Sequence, residues 1–175
     1  MSRLTFQPEA FFRATAARIA TTESSRIRTL LPAAQIDHIG GTSIPGALTK
    51  GDVDLLVQVG AAEFTRGVAA LQQIYAINQP DNWTPTFASF KDDTAFDLPF
   101  GAQLVVAGSE NFHFLRLKKR LSCDPVALEG YNAIKRSHQG GDPTEYRNAK
   151  GAYIESLLAD GGCERFDPAG VNPWP

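Results

Sequence analysis

The sequence predicts a domain that mixes helices and strands, and three observations support this. Apolar residues recur with helical spacing over residues 8–31. Residues 52–59 alternate apolar and polar side chains with the period of two that a β-strand has. Residues 125–139 and 143–159 each follow an aspartate and begin with a proline, a combination typical of helix starts. Helices and strands in this order indicate the α/β or α+β class.

The other elements follow from local patterns and from the glycine and proline residues between them. We predict a strand over 35–39, followed by a glycine-rich segment over 40–51 that is either a loop or a loop leading into a short helix. Next we predict a helix over 61–76, strands over 87–91 and 103–107, and a helix over 110–121. We expect one domain over residues 1–175: a core at about 35–107, a helical C-terminal part at about 110–160 and an irregular tail over 161–175.

Composition narrows the range of functions. Hydrophobic residues make up 43% of the 175 residues and the net charge is −2, so no basic field over the whole chain favours nucleic acid as a partner. No apolar run of membrane-spanning length occurs, and residues 1–20 lack the continuous apolar stretch of a signal peptide. Cys123 and Cys163 form neither a redox nor a zinc motif. We expect a cytoplasmic protein with no membrane association and no disulfide; the sequence predicts no oligomeric state.

Two aspartates lie at the start of the 52–59 strand. Asp52 and Asp54 are two residues apart, so both carboxylates project from the face opposite the apolar residues of the strand. Like charges this close repel each other unless solvent or a cation relieves the repulsion. We expect Asp52 and Asp54 to be catalytic residues that bind Mg²⁺ or Mn²⁺. The alternative is a solvated strand end.

The segment before these aspartates has the composition of a phosphate-binding loop. Gly40 and Gly41 allow close approach of the backbone, Thr42 and Ser43 supply hydroxyl donors, and Lys50 supplies a positive charge. We expect all five to contact a polyphosphate. Alternatively, the glycines form a tight turn, the hydroxyls cap a short helix, and Lys50 is a solvated lysine.

The helical part contributes two tyrosine–lysine pairs. Tyr131 and Lys135, like Tyr146 and Lys150, are four residues apart and therefore share a helix face. A tyrosine ring can stack on a base while a lysine neutralises phosphate, so we expect all four to bind the ligand. Alternatively they are residues at the edge of the core. We expect His38 to be a half-buried, hydrogen-bonded histidine, the alternative being a base. We expect residues 118–120 to form a solvated basic helix face, the alternative being a rim for a polyanion.

These motifs together resemble a known family. Gly40-Gly41 followed by Asp52-Val53-Asp54-Leu55 is similar to the signature of the DNA polymerase β-like nucleotidyltransferase superfamily. More closely, HIGGTSIPGALTKGDVDLLV, together with YNAIKRSHQGGDPTEYRNAKGAYIESLL, resembles the GrpB family. The resemblance implies a nucleotidyltransferase-like mixed β-sheet flanked by helices, with the glycine loop and Asp54 in the site. It falls on the four tyrosine and lysine positions as well.

The resemblance also implies a third carboxylate on a neighbouring strand, and this sequence departs from that pattern. Gln103 occupies the expected position, and Asp97 is a conceivable substitute. We therefore keep two hypotheses open. The first is a Mg²⁺-dependent nucleotidyltransferase that moves a nucleoside monophosphate from an NTP to an unknown small-molecule acceptor. The second is a non-catalytic module that binds a nucleotide or the phosphate of a coenzyme.

Overall fold

The structure is a computed structural model that describes residues 3–109 and 113–161. The helices are α1 (Glu9–Leu30), α2 (Phe64–Leu71), α3 (His113–Cys123), α4 (Pro125–Ser137) and α5 (Pro143–Ala159). The strands are β1 (Gln7–Pro8), β2 (Gln35–Ile39), β3 (Leu48–Thr49), β4 (Val53–Val59), β5 (Ala76–Asn78), β6 (Phe87–Asp92) and β7 (Phe100–Val106). Short 3₁₀ turns cover residues 41–43, 61–63 and 80–82.

Five of the strands form one mixed sheet in the order β2-β4-β7-β6-β5. β4 and β7 run parallel, and each other neighbouring pair in this sheet is antiparallel. Asp54 of β4 lies opposite Ile39 of β2 and opposite Gly101 of β7. A separate two-stranded ladder joins β1 to β3. The predicted mixed α/β class is confirmed, and the register places Asp54 between two neighbouring strands.

Both faces of the sheet are covered. The apolar face of β4 packs with α1 and α2 in the main core, as the alternation predicts; its β4 members are Val53, Leu55, Val57 and Val59. On the opposite face, Leu56 joins Ile39 and Val105 in a smaller cluster against Phe114 of α3. Only the end of β4 near Asp54 therefore leaves a polar face available to a ligand.

The C-terminal helices have a core of their own, and it includes the glycine-rich loop. Leu121, Tyr131 and Leu157 pack together with Ile44 and Ala47 of that loop. The predicted helix starts are confirmed. Asp124 accepts backbone N–H bonds from Val126 and Ala127, and Asp142 does the same for Thr144 and Glu145. The helical part therefore packs directly on the segment that precedes the two aspartates.

Two predicted boundaries are wrong. The helix predicted over 61–76 is α-helical only over Phe64–Leu71, because Ala76–Asn78 pairs with β6 as an edge strand. The strand predicted over 103–107 begins earlier, at Phe100. Gly101 precedes the predicted start of this strand, but in the structure it lies within the strand, opposite Asp54. Long-range pairing decides both boundaries, and local patterns do not contain it.

The expectation of no disulfide is wrong for Cys123, which is disulfide-bonded. Cys163 lies outside the described residues, as do residues 110–112 of the predicted helix and 162–175 of the predicted tail. Among the helices within 3–109 and 113–161, each is too short or too polar to cross a membrane.

Candidate functional site

The Asp54 side chain lies in a space that two glycines create. A methyl group built on Gly40 would come within 2.7 Å of Asp54 Oδ2, and one built on Gly101 within 2.7 Å of Oδ1. Gly40 also has a φ of +74°, a conformation that favours glycine. The predicted association of the glycine turn with Asp54 is therefore present, and Gly101 is a second contributor that the sequence did not reveal.

Asp54 titrates close to neutral pH. Burial, and then the negative charge of Asp52, raise the pKa of its carboxyl to about 6. The positive charges of Lys150 and Lys50, and a hydrogen bond from Gln103, oppose this rise. A cation bound at the carboxylate would favour its charged form, since it would supply the neutralisation that burial removes.

Asp52 is paired with a lysine at the rim of the site. Lys50 Nζ lies 2.8 Å from Asp52 Oδ2, and the two side chains are 45% and 36% exposed. Lys50 is thus neither a fully solvated loop lysine nor a buried one. The pair keeps a positive charge within reach of the two aspartates, and water retains access to it.

The hydroxyl groups of the turn hold its backbone in place. Thr42 Oγ1 donates to the Asp52 carbonyl at 2.9 Å, and Ser43 Oγ donates to the Gly40 carbonyl at 2.8 Å. The structure gives neither hydroxyl the helix N-cap role; Gly40 occupies the N-cap position of this turn. Both hydroxyl hydrogens are therefore engaged within the site and do not donate to a ligand.

His38 supports the same turn and is neutral. Its Nε2 lies 3.0 Å from Thr42 Oγ1, and since the Thr42 hydrogen points to the Asp52 carbonyl, the histidine Nε2–H is the donor. Burial lowers the pKa of His38 to about 4, with a further contribution from the positive charge of Lys118. The prediction of a half-buried, hydrogen-bonded histidine is confirmed.

Lys135 is nearly fully buried beside the glycine turn. Its ammonium group donates to the Leu48 carbonyl and lies 4.0 Å from the centre of the Tyr131 ring. Burial, and then the positive charges of Lys150 and Lys50, lower its pKa to about 7. The Lys135 Nζ atom would lie 3.5 Å from a methyl group built on Gly41. The Lys135 ammonium group therefore lies next to Gly41 of the turn and is bonded to the backbone of Leu48.

Lys150 approaches the site from α5. It is partly buried and lies 5.5 Å from the centre of the Tyr146 ring. Burial lowers its pKa, while the negative charges of Asp54 and Asp52 act in the opposite direction. Tyr146 itself is buried against the ring of Phe6, with the ring centres 5.0 Å apart. Tyr146 is therefore a core residue here, and Lys150 is the member of this pair that faces the site.

A cavity of about 320 Å³ opens above Asp54. Its lining includes four residues predicted to be functional, namely Gly40, Asp54, Tyr131 and Lys150. It also includes Lys118, whose ammonium group donates to the His38 carbonyl at 2.7 Å. The expectation of a solvated helix face is wrong for Lys118, because α3 packs on β2. No local sequence signal distinguishes it from the neighbouring basic residues.

The remaining lining is largely apolar and comes from β2, the loop and the helices. These residues are Ile39, Ile44, His113, Phe114, Leu117 and Ile154, with Gln103 at the polar end. Such a mixture of apolar walls and a few convergent charged groups is typical of a small-molecule site.

The carboxylates fit one divalent cation better than a closed metal cage. Gln103 contacts Asp54 by a side-chain hydrogen bond, whereas Asp97 is exposed and pairs with Arg18 at 2.5 Å. Over residues 3–109 and 113–161, no group of three or more histidine, cysteine, aspartate or glutamate side chains is arranged to hold a metal. Mg²⁺ commonly uses one or two carboxylates and completes its shell with water and substrate phosphates. Asp54 and Asp52 are the two carboxylates that could contribute to such a shell.

A glycine turn lies beside an aspartate on an inner strand of the mixed sheet, and helices that carry lysines cover it, so these features define an α/β domain with a charged cavity. The family model described as GrpB protein matches residues 13–160. A UPF0157 protein of Vibrio cholerae is 37% identical over 133 residues, which cover 75% of this chain and 70% of that protein. The chain belongs to the GrpB family.

Two further comparisons agree with this assignment. A UPF0157 protein of Halalkalibacterium halodurans is 28% identical over 145 residues, covering 78% of this chain and 72% of that protein. The crystal structure of the conserved protein GrpB from Enterococcus faecalis superposes with a TM-score of 0.71 at 15% identity, covering 95% of this chain and 100% of the other. At that identity the superposition supports the fold and says nothing about the reaction.

Proposed function

We propose that this protein is a Mg²⁺-dependent nucleotidyltransferase that moves a nucleoside monophosphate from an NTP to a small-molecule acceptor and releases pyrophosphate. One observation carries the proposal. The Asp54 carboxylate lies between Gly40 and Gly101 at the polar end of a cavity that Lys150 also lines. A carboxylate and a lysine at one end of a largely apolar pocket suit a ligand with a metal-bound polyphosphate and a planar apolar part.

In this proposal the polyphosphate lies along the turn of residues 40–43. Lys150 and Lys50 offset its negative charge from two sides, since both charges already act on Asp54. Tyr131 lines the cavity wall, where its ring would contact the nucleoside. Lys135 contributes through the turn that it supports. Thr42 and Ser43 act by fixing the backbone whose N–H groups face the phosphates.

Asp54 and Asp52 would hold Mg²⁺ or Mn²⁺, which would offset charge on the phosphate oxygens and activate the acceptor hydroxyl. The Asp52 carboxylate would then contact the cation and would lose part of its ion pair with Lys50. The lysine would then be available to the phosphates, because it is partly exposed and has a flexible side chain.

A specific observation favours the second candidate, a non-catalytic module that binds a nucleotide or a coenzyme phosphate. Gln103 contacts Asp54 from the neighbouring strand, at the place where a third carboxylate is expected. An amide supplies less negative charge to a cation than a carboxylate does. Binding by such a module would depend mainly on Lys150 and Lys50, and only weakly on metal.

A thermal-shift screen separates the two candidates. ATP, GTP, CTP, UTP and coenzyme A are each tested with and without Mg²⁺ or Mn²⁺ on the wild type, Asp54→Asn and Asp97→Asn. A ligand at one hundred times its Kd should stabilise the protein by about 2.7 kcal/mol. Asp97→Asn is the matched control, because Asp97 is exposed and pairs with Arg18 outside the cavity lining.

The nucleotidyltransferase proposal predicts a metal-dependent shift with a nucleoside triphosphate that Asp54→Asn abolishes and Asp97→Asn preserves. Each variant is compared with its own unliganded state, since Asp54→Asn alters stability by itself. A ligand-induced shift in melting temperature that is the same with and without metal, and the same in the wild type and Asp54→Asn, would favour the binding module. The absence of a shift with any of the five ligands would contradict both candidates.

A further inference from the structure

The structure assigns Asn132 of α4 as a positioning residue that sets the backbone of residues 46–48 and, through it, the glycine turn of the site. The inference rests on the proposed function, because it concerns the same phosphate site. It extends that function to the helical part of the chain. On this account α4 is a component of the ligand site, although Asn132 is not among the residues that line the cavity.

Asn132 holds the loop through both ends of its amide. Its Nδ2 donates to the Gly46 carbonyl at 3.0 Å, and its Oδ1 accepts from the Leu48 N–H at 2.8 Å. The side chain is 7% exposed, so water competes little for these bonds. One turn further along α4, Lys135 donates to the Leu48 carbonyl. Two side chains of α4 thus fix three polar groups of the loop backbone.

The start of α1 holds the same segment from the other side. The Glu9 N–H donates to the Ala47 carbonyl at 2.7 Å, and the Glu9 carboxylate accepts a backbone hydrogen bond from Gly46. That carboxylate is buried and is also bound by Arg13 through two bonds of 2.7 Å. The peptide groups of residues 46–48 are therefore held between two helices, and little freedom remains for their position.

The held segment contacts the glycine turn through the residue that follows it, Thr49. β3 begins at Leu48, and a methyl group built on Gly41 would lie 2.9 Å from the Cβ and Oγ1 atoms of the next residue, Thr49. A displacement of Leu48 would move Thr49, and Thr49 is packed against Gly41 without space to spare. The position of the turn therefore depends on Asn132 through a short series of direct contacts.

Asn132→Asp and Asn132→Ala test this inference, with Gln139→Ala as the matched control. Gln139 also uses a side-chain amide to hold distant backbone, since its Oε1 accepts the Phe6 N–H at 2.9 Å. This side-chain bond goes to Phe6, outside residues 46–48 and outside the glycine turn. Asn132→Asp keeps the volume and the acceptor for Leu48, and replaces the donor to Gly46 with a carboxylate oxygen.

The affinity for Mg²⁺-tripolyphosphate is measured by calorimetry at a temperature where each variant is folded. The amide NMR signals of Gly40 and Gly41 are recorded without ligand. We expect both Asn132 variants to bind about tenfold more weakly or worse, a loss of about 1.4 kcal/mol. Their Gly40 and Gly41 signals should shift, while Gln139→Ala keeps wild-type affinity and wild-type signals at these glycines.

A purely structural role for Asn132 would lower the unfolding temperature and leave the affinity of the folded protein and the glycine signals unchanged. That result would overturn the inference while the proposed function stands. If the wild type itself does not bind Mg²⁺-tripolyphosphate, the proposed function fails, and the Gly40 and Gly41 signals then decide alone whether Asn132 sets the turn. The glycine signals come from the unliganded protein, so they remain informative about the contact itself.

Discussion

Replacing Asp54 with asparagine should make the metal-free protein more stable at neutral pH. The folded state raises the pKa of Asp54 from 3.8 to about 6, mainly through burial and then through the charge of Asp52. A carboxyl whose pKa is raised on folding destabilises the folded state wherever it is ionised. Asparagine removes that charge, and its oxygen can still accept the hydrogen bond from Gln103.

The magnitude follows from the pKa shift. Each pKa unit corresponds to about 1.4 kcal/mol, so the full shift corresponds to about 3 kcal/mol. Asp54 is partly exposed, and contact with water reduces this value, so we expect a gain of about 1–2 kcal/mol. For a chain of this size, that corresponds to a rise in Tm of about 2–8 °C.

The stability difference between Asp54→Asn and the wild type should increase with pH. Above about pH 6 the wild-type carboxyl is ionised in both states and the full penalty applies. Below the unfolded pKa of 3.8 it is protonated in both states and the penalty vanishes. Denaturant unfolding with EDTA at pH 5, 6, 7 and 8 should show the advantage of Asp54→Asn growing with pH. Asp97→Asn should gain nothing at any of these values.

A stability of Asp54→Asn that is equal to or below that of the wild type at pH 8 would refute the reasoning. A gain of the same size at pH 5 and pH 8 would also refute it, because the benefit would then not come from the ionisation of the carboxyl.

Two further predictions concern the surroundings of Asp54. Gly101→Ala should displace the Asp54 carboxylate, destabilise the protein by about 1–3 kcal/mol and weaken the binding of Mg²⁺-tripolyphosphate. Gly60→Ala is the control, because the methyl group it adds meets nothing within 4 Å, and it should have none of these effects. Wild-type affinity in Gly101→Ala would contradict the view that this glycine makes room for Asp54. Gln103→Glu should tighten Mn²⁺ binding, measured by calorimetry, and lower stability in EDTA at pH 8 through repulsion with Asp54. Unchanged metal affinity would show that residue 103 does not face the cation site.

The sequence predicts a large part of this fold because the relevant signals are local. Periodicity locates α1 and β4, and the aspartate–proline pairs locate the starts of α4 and α5. β5 was missed because Ala76–Asn78 is a strand only through its pairing with β6. Local preference does not encode a partner that is distant in the chain.

The site shows the same limit. The glycine turn and Asp54 are recognisable because their spacing in the sequence is short and has a chemical meaning. Gly101 and Lys118 could not be recognised, because each reaches the site through packing between elements. Lys135 was expected to face a ligand, and the structure instead shows its ammonium group on the Leu48 carbonyl. Which side of a helix faces the loop is decided by the tertiary structure.

The central claim is that Asp54 anchors a metal-dependent triphosphate site, and direct binding of ATP tests it most directly. Calorimetry is performed with Mg²⁺ and with EDTA on the wild type, Asp54→Asn and Asp97→Asn. We predict that ATP binds to the wild type and to Asp97→Asn only with Mg²⁺. In Asp54→Asn the affinity for ATP with Mg²⁺ should fall by at least about tenfold. Equal ATP affinity in the wild type and Asp54→Asn, with or without Mg²⁺, would contradict it.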